Sequence, residues 1–179
     1  MVEQTGAAFI HPYNDPRIIA GQGTSALEMV EDAPPLDLIL APVGGGGLIS
    51  GTAVTAAGMA PSARVVGCEP ERADDAFRSF RDGRLQPVEN PDTIADGLRT
   101  SLGELPFACM QRHLHDMVTV SEEEIREAMR YVWERMKIII EPSSAVPVAA
   151  LLGGHVEAEG ATVGIIISGG NVDLDHLPW

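Results

Sequence analysis

Short apolar segments that suit β-strands alternate along this chain with segments that have helical spacing. The predicted strands are Ala8–His11, Leu36–Val43, Arg64–Cys68, Met117–Val120 and Thr162–Ile167. Helices are predicted over Gly23–Glu31, Leu48–Gly58, Ala73–Arg81 and Ser143–Leu152, and a further one follows Ser121. Apolar strands that alternate with helices form a parallel sheet covered on both faces. The predicted fold class is therefore α/β, a three-layer domain with a parallel sheet.

The helix after Ser121 carries a complete start signal. Ser121 and Glu124 have the spacing of a capping box, in which a hydroxyl and a carboxylate bind the free N–H groups of a helix start. An apolar stripe follows at helical spacing and is assigned to the core: Ile125, Ala128, Met129, Val132, Trp133 and Met136. Residues 87–106 are rich in loop residues, with one helical turn expected over Thr93–Leu98.

Composition limits the possible partners. The chain has 179 residues, 45% of them hydrophobic, which suits a single domain over residues 1–179. A net charge of −14 argues against nucleic acid and anionic membranes as partners, since both require a basic surface. No apolar run approaches the ~20 residues that span a bilayer, and the N-terminus lacks a signal-peptide pattern. The two cysteines, Cys68 and Cys109, fit no disulfide or metal motif. We expect a cytoplasmic protein.

The most distinctive motif is a run of glycines, Gly44, Gly45, Gly46 and Gly47, between a predicted strand and a predicted helix. Glycines can turn successive backbone N–H groups toward one point, and the start of a helix adds partial positive charge. Ligands of open parallel sheets collect beyond the carboxyl ends of strands. A tight turn needs only one or two glycines, so the run favours a site for a phosphate group.

The glycines do not by themselves identify the phosphate compound. A mononucleotide P-loop requires Gly-Lys-Ser/Thr, whereas residues 48–50 are Leu-Ile-Ser, which excludes it. A dinucleotide fingerprint requires a third glycine where the count from Gly44 reaches Ile49. Glu69 nevertheless ends the next strand near the place of a ribose-binding acid. Dinucleotide binding therefore stays open as an alternative at this point.

Further motifs follow one another in order along nearly the whole chain: His11-Pro12, Gly21–Thr24, Val43–Gly47, Cys68–Pro70, Ala73–Asp75, Ile94–Gly97, Val132–Met136, Glu141–Ser143 and Ser168–Asp173. Each motif is weak alone, and the ordered set is specific. It resembles the fold-type-II pyridoxal-phosphate enzymes, in particular the serine racemase and threonine/serine dehydratase group. The resemblance implies a partial fold-type-II enzyme, namely most of its large domain without most of the small domain.

The resemblance also implies roles for individual residues toward pyridoxal 5′-phosphate. In that family, backbone N–H groups of the glycine loop bind the cofactor phosphate, which corresponds to Gly44–Gly47. Ser168 matches the partner of the pyridine nitrogen, Glu141 a carboxylate beside the ring, and Gly97 the loop that lines the ring. A hydroxyl partner makes the cofactor ring a weaker electron sink, which favours elimination or α-proton chemistry. Without the resemblance, the three residues suit a strand-end turn, a helix N-terminus and an Asp-Gly turn.

The resemblance further implies a divalent-cation site at Glu69, Asp75 and the backbone carbonyl of Ala73. Magnesium and calcium prefer such oxygen ligands, and Mg²⁺ or Ca²⁺ is expected here. The two carboxylates come from a strand end and a helix start, which can converge on one ion. Acidic residues are also common in the first turn of a helix, so the spacing alone does not decide between the two explanations.

The chain lacks the catalytic lysine of the family, which forms a Schiff base with the cofactor and lies in a Ser-Phe-Lys context. Its only lysine, Lys137, ends a helix, where a cation is ordinary, so no catalytic residue is assigned. His113 and His115 are expected in a surface loop, and His11 has no derived role.

The resemblance thus implies the C-terminal part of a serine/threonine dehydratase or serine racemase, inactive without an N-terminal half. The completed enzyme is expected to be a homo-oligomer that acts on a small hydroxy amino acid. The N-terminal half could be a separate chain, or the sequence could be a truncation. The alternative is a non-catalytic domain that binds phosphate or a dinucleotide.

Overall fold

The computed structural model describes residues 2–179, except for the side chain of residue 3. The helices are α1 (Val2–Thr5), α2 (Pro16–Asp32), α3 (Gly47–Met59), α4 (Asp75–Asp82), α5 (Glu104–His113), α6 (Glu122–Met136) and α7 (Pro142–Leu152). The strands are β1 (Leu38–Pro42), β2 (Arg64–Pro70), β3 (Asp116–Val120) and β4 (Val163–Ile165), and 3₁₀ turns cover Glu71–Ala73 and Asp96–Leu98. None of the described helices has the length and apolar character needed to cross a membrane.

The four strands form one parallel sheet in the order β3-β2-β1-β4. In its register, Leu40 of β1 lies opposite Val66 of β2 on one side and Ile165 of β4 on the other. The chain moves outward from β1 through β2 to β3 and then returns to add β4 beside β1. The order therefore reverses between β1 and β4, and open α/β sheets bind ligands beyond the carboxyl ends of the strands at such a point.

Alternate side chains of the strands enter two separate cores, as the two-residue period of a strand requires. Leu38 and Leu40 of β1 belong to a core that α6 and α7 cover. Ile39 and Ala41 belong to a second core, which is completed by side chains of α2, α3, α4 and α5. Helices thus cover both faces of the sheet, and the three-layer α/β prediction is confirmed.

Glycines set the distance between α2 and α3. A Cβ atom on Gly51 would lie 2.5 Å from both the backbone nitrogen of Gly23 and the carbonyl oxygen of Ile19. Thr55 also donates its hydroxyl to the carbonyl oxygen of Gly23, at 3.2 Å. This close approach fixes α3, whose first residue belongs to the glycine run, against its neighbour.

The predicted start of α6 is confirmed. The Ser121 hydroxyl accepts the N–H of Glu124 at 3.3 Å, and the Glu124 carboxylate accepts the N–H of Ser121 at 2.7 Å. The Glu124 carboxylate also contacts His155 Nε2 at 2.6 Å, which joins the start of α6 to the connection before β4. Burial opposes ionisation of Glu124, but the hydrogen bonds from His155 and Ser121 outweigh it and lower its pKa to about 2.

The predicted strand over Ala8–His11 is wrong. This segment has no regular structure, and Phe9 and Ile10 are 71% and 57% exposed, because none of the strands in the described part of the chain pairs with it. β-forming residues make a strand only when a sheet offers them a partner and a covered face.

Helix α5 was not predicted from the sequence, because Pro106 argued for a loop. Proline is tolerated in the first turn of a helix, where Pro106 lies. His113 is consequently the last residue of α5, so its predicted place in a loop is wrong. His115 does lie in the connection to β3, where its Nδ1 accepts the N–H of Val65 at 3.0 Å.

Candidate functional site

A pocket of about 280 Å³ lies beyond the carboxyl ends of β1 and β4, where the strand order reverses. Five separate segments line it: the loop before α2 together with Gln22 of that helix, the glycine run after β1, the turn at Gly97, the start of α7, and Ser168 in the segment that follows β4. All seven residues predicted to contact the cofactor line this pocket: Gly44, Gly45, Gly46, Gly47, Gly97, Glu141 and Ser168. The structure thus brings together residues that are far apart in the sequence.

The glycine run presents unused hydrogen-bond donors at the start of α3. Within the described residues, the N–H groups of Gly44, Gly45 and Gly46 donate to no protein atom. The carbonyl oxygens of Gly45 and Gly46 are occupied, because they accept the N–H groups of Gly103 and Ser50, both at 3.1 Å. Gly46 caps α3 with φ of 87°, a conformation that other residues rarely adopt. Free N–H groups at a helix start form a suitable site for a phosphate group.

Tyr13 packs directly on the glycine run, a contact that sequence reasoning missed. A Cβ atom on Gly45 would lie 2.3–2.5 Å from three atoms of the Tyr13 ring, so only glycine allows this contact. His11 orders the Tyr13 segment: its Nδ1 accepts the N–H of Asn14 at 3.0 Å, and its ring packs edge-on against Tyr13 at 4.6 Å. The His-Pro motif was the available signal, and it gave His11 no role before the structure was known.

The first residues of α7 hold two of the loops that line the pocket. The Ser143 hydroxyl accepts the N–H of Gly97 at 3.2 Å, which joins the Gly97 turn to the helix. The Glu141 carboxylate accepts the N–H of Asn171 at 2.8 Å and makes no capping hydrogen bond to α7 itself. Glu141 therefore organises the turn after β4 in addition to any compensation of the helix charge.

A second serine in the first turn of α7, Ser144, reaches the predicted partner of the ring nitrogen. Its hydroxyl oxygen lies 3.1 Å from Ser168 Oγ and 2.7 Å from both the carbonyl oxygen and the backbone nitrogen of Gly169. Ser143 and Ser144 were both missed as site residues. The paired hydroxyls after Glu141-Pro142 were the available signal, but serines at a helix start are common for structural reasons alone.

The acids predicted to bind a cation lie outside this pocket, at the end of β2 and the start of α4. The Glu69 carboxylate accepts the N–H groups of Ala76 at 3.2 Å and Phe77 at 2.8 Å. Asp75 Oδ2 accepts the N–H of Leu102 at 2.9 Å, whereas its buried Oδ1 has no hydrogen-bond partner among the described residues. Burial raises the pKa of both Glu69 and Asp75, because it disfavours their charged forms.

Side chains alone do not form a metal site near these acids. Among the described residues, no group of three or more His, Cys, Asp or Glu side chains could hold a metal ion. A cation at Glu69 and Asp75 would therefore need oxygen ligands of other kinds, such as the Ala73 carbonyl and water. The orphaned Asp75 Oδ1 is the feature of this cluster that a cation would satisfy.

Lys137 is not among the residues that line the pocket. It caps the end of α6 with φ of 61°, and it is exposed. This position suits the structural role predicted for it.

Comparison with protein families identifies the class. Residues 1–169 match the family described as pyridoxal-phosphate dependent enzyme. The chain therefore belongs to the pyridoxal-phosphate dependent enzymes, and the cofactor that this family implies is pyridoxal phosphate.

Individual relatives agree with the predicted group. The chain is 50% identical over 176 residues to a β-hydroxyaspartate dehydratase of Paracoccus denitrificans, which covers 98% of this chain and 56% of that protein. It is 44% identical over 176 residues to an L-threonine ammonia-lyase of Thermotoga maritima, covering 98% of this chain and 44% of that one. The crystal structure of serine racemase from Dictyostelium discoideum matches with a TM-score of 0.91 and 48% identity, over 97% of this chain and 56% of that one. The chain spans about half the length of these relatives.

Proposed function

We propose that this chain is the cofactor-binding part of a pyridoxal-phosphate enzyme that eliminates ammonia from, or racemises, a small hydroxy amino acid such as L-serine or L-threonine. The observation that carries the proposal is the convergence of all seven predicted cofactor residues on one pocket at the reversal of strand order. The names of the relatives, a hydroxyaspartate dehydratase, a threonine ammonia-lyase and a serine racemase, support this class of substrate.

The residues that line the pocket suit the proposed cofactor. The free N–H groups of Gly44–Gly46 and the positive end of α3 would bind the phosphate. Tyr13 would restrict the space beside the glycine run, and Ser168 would face the ring nitrogen as a neutral partner. When bound, the cofactor supplies an electron sink that makes the α-proton of an amino acid acidic. The chain's own contribution is to hold and orient it.

The pocket is not lined by a lysine that could remove the α-proton. Lys137, the only lysine of the chain, caps the exposed end of α6 and does not line the pocket. We therefore infer that a segment outside residues 1–179 carries the lysine, whether it belongs to the same protein or to a separate chain.

Complementation tests this proposal. The chain is mixed with an N-terminal segment that carries the lysine, and 2-oxo acid is measured from L-serine, L-threonine and β-hydroxyaspartate, along with racemisation of serine. We expect product from at least one substrate with the wild-type chain. We expect a loss of at least tenfold with Gly45→Ala, because its new Cβ would displace Tyr13. The control is Gly58→Ala, whose Cβ would have no neighbour within 4 Å.

One outcome would contradict the enzymatic proposal, and another would contradict the role given to Gly45. Cofactor binding without product from any substrate would favour a non-catalytic phosphate-binding domain. Full activity of Gly45→Ala would show that the close contact between Gly45 and Tyr13 is not needed for a functional site.

We also infer a divalent cation, Mg²⁺ or Ca²⁺, at Glu69, Asp75 and the carbonyl oxygen of Ala73. Support comes from two buried carboxylates at the start of one helix and from the unpartnered Asp75 Oδ1. Buried charges of like sign are costly unless an opposite charge accompanies them. A cation would remove that cost and would fix the start of α4 relative to Leu102, whose N–H Asp75 accepts.

A further inference from the structure

The Gly97 turn belongs to a loop that is held firmly at its base. Ala95 and Leu98 are buried in the core that α6 and α7 cover. The carboxylate of Glu122, the first residue of α6, accepts the N–H of Ile94 at 2.8 Å. Gly97 itself is exposed and has no side chain that could anchor it. The position of the tip of the turn therefore depends on what its backbone contacts.

A single hydrogen bond, among those of the described residues, ties Gly97 to a separate element. Its N–H is shared by two acceptors, Asp96 Oδ1 at 2.9 Å and Ser143 Oγ at 3.2 Å. Asp96 belongs to the same turn, so this bond shapes the turn without fixing its place in the pocket. Ser143 lies in the first turn of α7 and is only 2% exposed, so its hydroxyl is an acceptor held by the framework of the fold.

The turn lies between the starts of two helices, α7 and α3. A Cβ atom on Gly97 would lie 3.0 Å from Ser143 Oγ, and a Cβ atom on Gly44 would lie 3.1 Å from the Cα atom of Leu98. One residue of the turn thus packs on α7 and the next packs on the glycine run. All four residues line the pocket, so a shift of the tip would change the space between α7 and the glycine run.

We propose that Ser143 is a positioning residue, whose hydroxyl holds the Gly97 turn in place as the wall against which the cofactor ring packs. This inference rests on the proposed function, because it takes the glycine run as the phosphate site and the Gly97 turn as a ring contact. Binding of phosphate alone uses the free N–H groups of the glycine run. Binding of the ring depends on the turn as well. The Ser143 hydroxyl should therefore matter for the ring and not for the phosphate.

The Ser143→Ala variant removes this acceptor and leaves the local one. The Gly97 N–H keeps its bond to Asp96, so the turn keeps its shape but loses its connection to α7. A neutral hydrogen bond contributes enough to change an equilibrium roughly threefold to tenfold. We expect a change of that size in the affinity for a compound that has both a ring and a phosphate.

The experiment measures the affinity of the full chain for two probes, pyridoxine 5′-phosphate, which has the ring but no aldehyde, and inorganic phosphate. Ser143→Ala should bind pyridoxine 5′-phosphate roughly threefold to tenfold more weakly and inorganic phosphate as tightly as the wild type does. Ser143→Thr keeps a hydroxyl and should restore the wild-type affinity. The matched control is Ser79→Ala, because Ser79 is also a buried serine of a helix whose hydroxyl accepts a loop N–H, that of Gln86 at 2.9 Å. It should change neither affinity.

Backbone ¹⁵N relaxation of the ligand-free chain tests the position of the turn itself. In Ser143→Ala, the order parameter of Gly97 should fall below about 0.6, the range of flexible backbone, while that of Ile94, which Glu122 holds, should stay at the wild-type value.

Three results would overturn this inference alone: an unchanged order parameter of Gly97, an unchanged affinity for pyridoxine 5′-phosphate, or an equal loss of affinity for both probes, which would indicate general damage to the pocket. A wild-type chain that bound neither probe saturably would instead overturn the proposed function, and this inference with it.

Discussion

Removal of divalent cations should destabilise the protein, because any charge on Glu69 and Asp75 would then be buried without an opposite charge beside it. Both side chains have 0% exposure, and burial raises both pKa values. A carboxyl group whose pKa is higher in the folded than in the unfolded state stabilises the fold in its protonated form, and this stabilisation is fully present below the ordinary carboxyl range. That contribution is lost as the pH rises through the raised value. The cation-free protein should therefore lose stability from these two groups as the pH rises above the ordinary carboxyl range.

The size of the effect follows from linkage between binding and folding. A cation present at about 100 times its dissociation constant adds about 2.7 kcal/mol to the free energy of unfolding. For a chain of this length, 1 kcal/mol shifts Tm by about 2–4 °C, so the expected increase is roughly 5–10 °C. The increase should shrink in mildly acidic buffer, where protons compete for the same carboxylates.

Thermal unfolding in a chelator and in excess Ca²⁺ or Mg²⁺ measures this difference. Asp75→Asn keeps an acceptor for the Leu102 N–H and places a neutral amide at the unpartnered oxygen, so it should abolish the shift. Asp74→Asn is the matched control, because Asp74 is partly exposed and pairs with Arg78 at 2.8 Å. Equal shifts in the wild type and Asp75→Asn, or no shift in the wild type, would refute the cation site.

Three further predictions concern the framework around the site. Gly51→Ala should lower the free energy of unfolding by about 2 kcal/mol or more, because its Cβ would lie 2.5 Å from backbone atoms. Gly58→Ala in the same helix should raise the free energy of unfolding by about 0.5–1 kcal/mol, because its Cβ would have no neighbour within 4 Å. Denaturant melts of the two variants measure both changes. Ser121→Ala should cost about 1 kcal/mol through loss of the capping box, and an unchanged melt would contradict that role. Glu124, whose pKa is lowered to about 2, stabilises the fold above the ordinary carboxyl range, and this contribution is lost as the pH falls. His155→Ala should therefore lower stability above that range and have a smaller effect in strongly acidic buffer, as acid titrations can show.

Local patterns were enough to predict the framework of the fold. The apolar runs at β1 and β2, the glycine run and the capping box at Ser121 each depend on residues close in sequence. The sequence therefore predicted the two strands, the glycine turn between β1 and α3, and the start of α6 that the structure has. The same locality explains the error at Ala8–His11, where the residues suit a strand but no partner strand is present.

Long-range contacts made the rest of the site unpredictable. Tyr13 lies against Gly45, and Ser143 binds Gly97, although each pair is widely separated in sequence. No local pattern distinguishes Ser144, which binds Ser168, from an ordinary serine in the first turn of a helix. The family resemblance identified Ser168 and Glu141 as site residues. The contacts that hold them in place, between α7 and the turn after β4, are visible only in the structure.

Binding of the cofactor phosphate by the glycine run can be measured by titrating the ¹⁵N-labelled chain with pyridoxal 5′-phosphate. We expect the largest amide shifts at Gly44–Gly47, where the N–H groups of Gly44, Gly45 and Gly46 donate to no protein atom among the described residues. Inorganic phosphate should shift the same amides without moving the Ser168 signal. Saturable binding with its largest shifts away from the glycine run would contradict phosphate binding at this site.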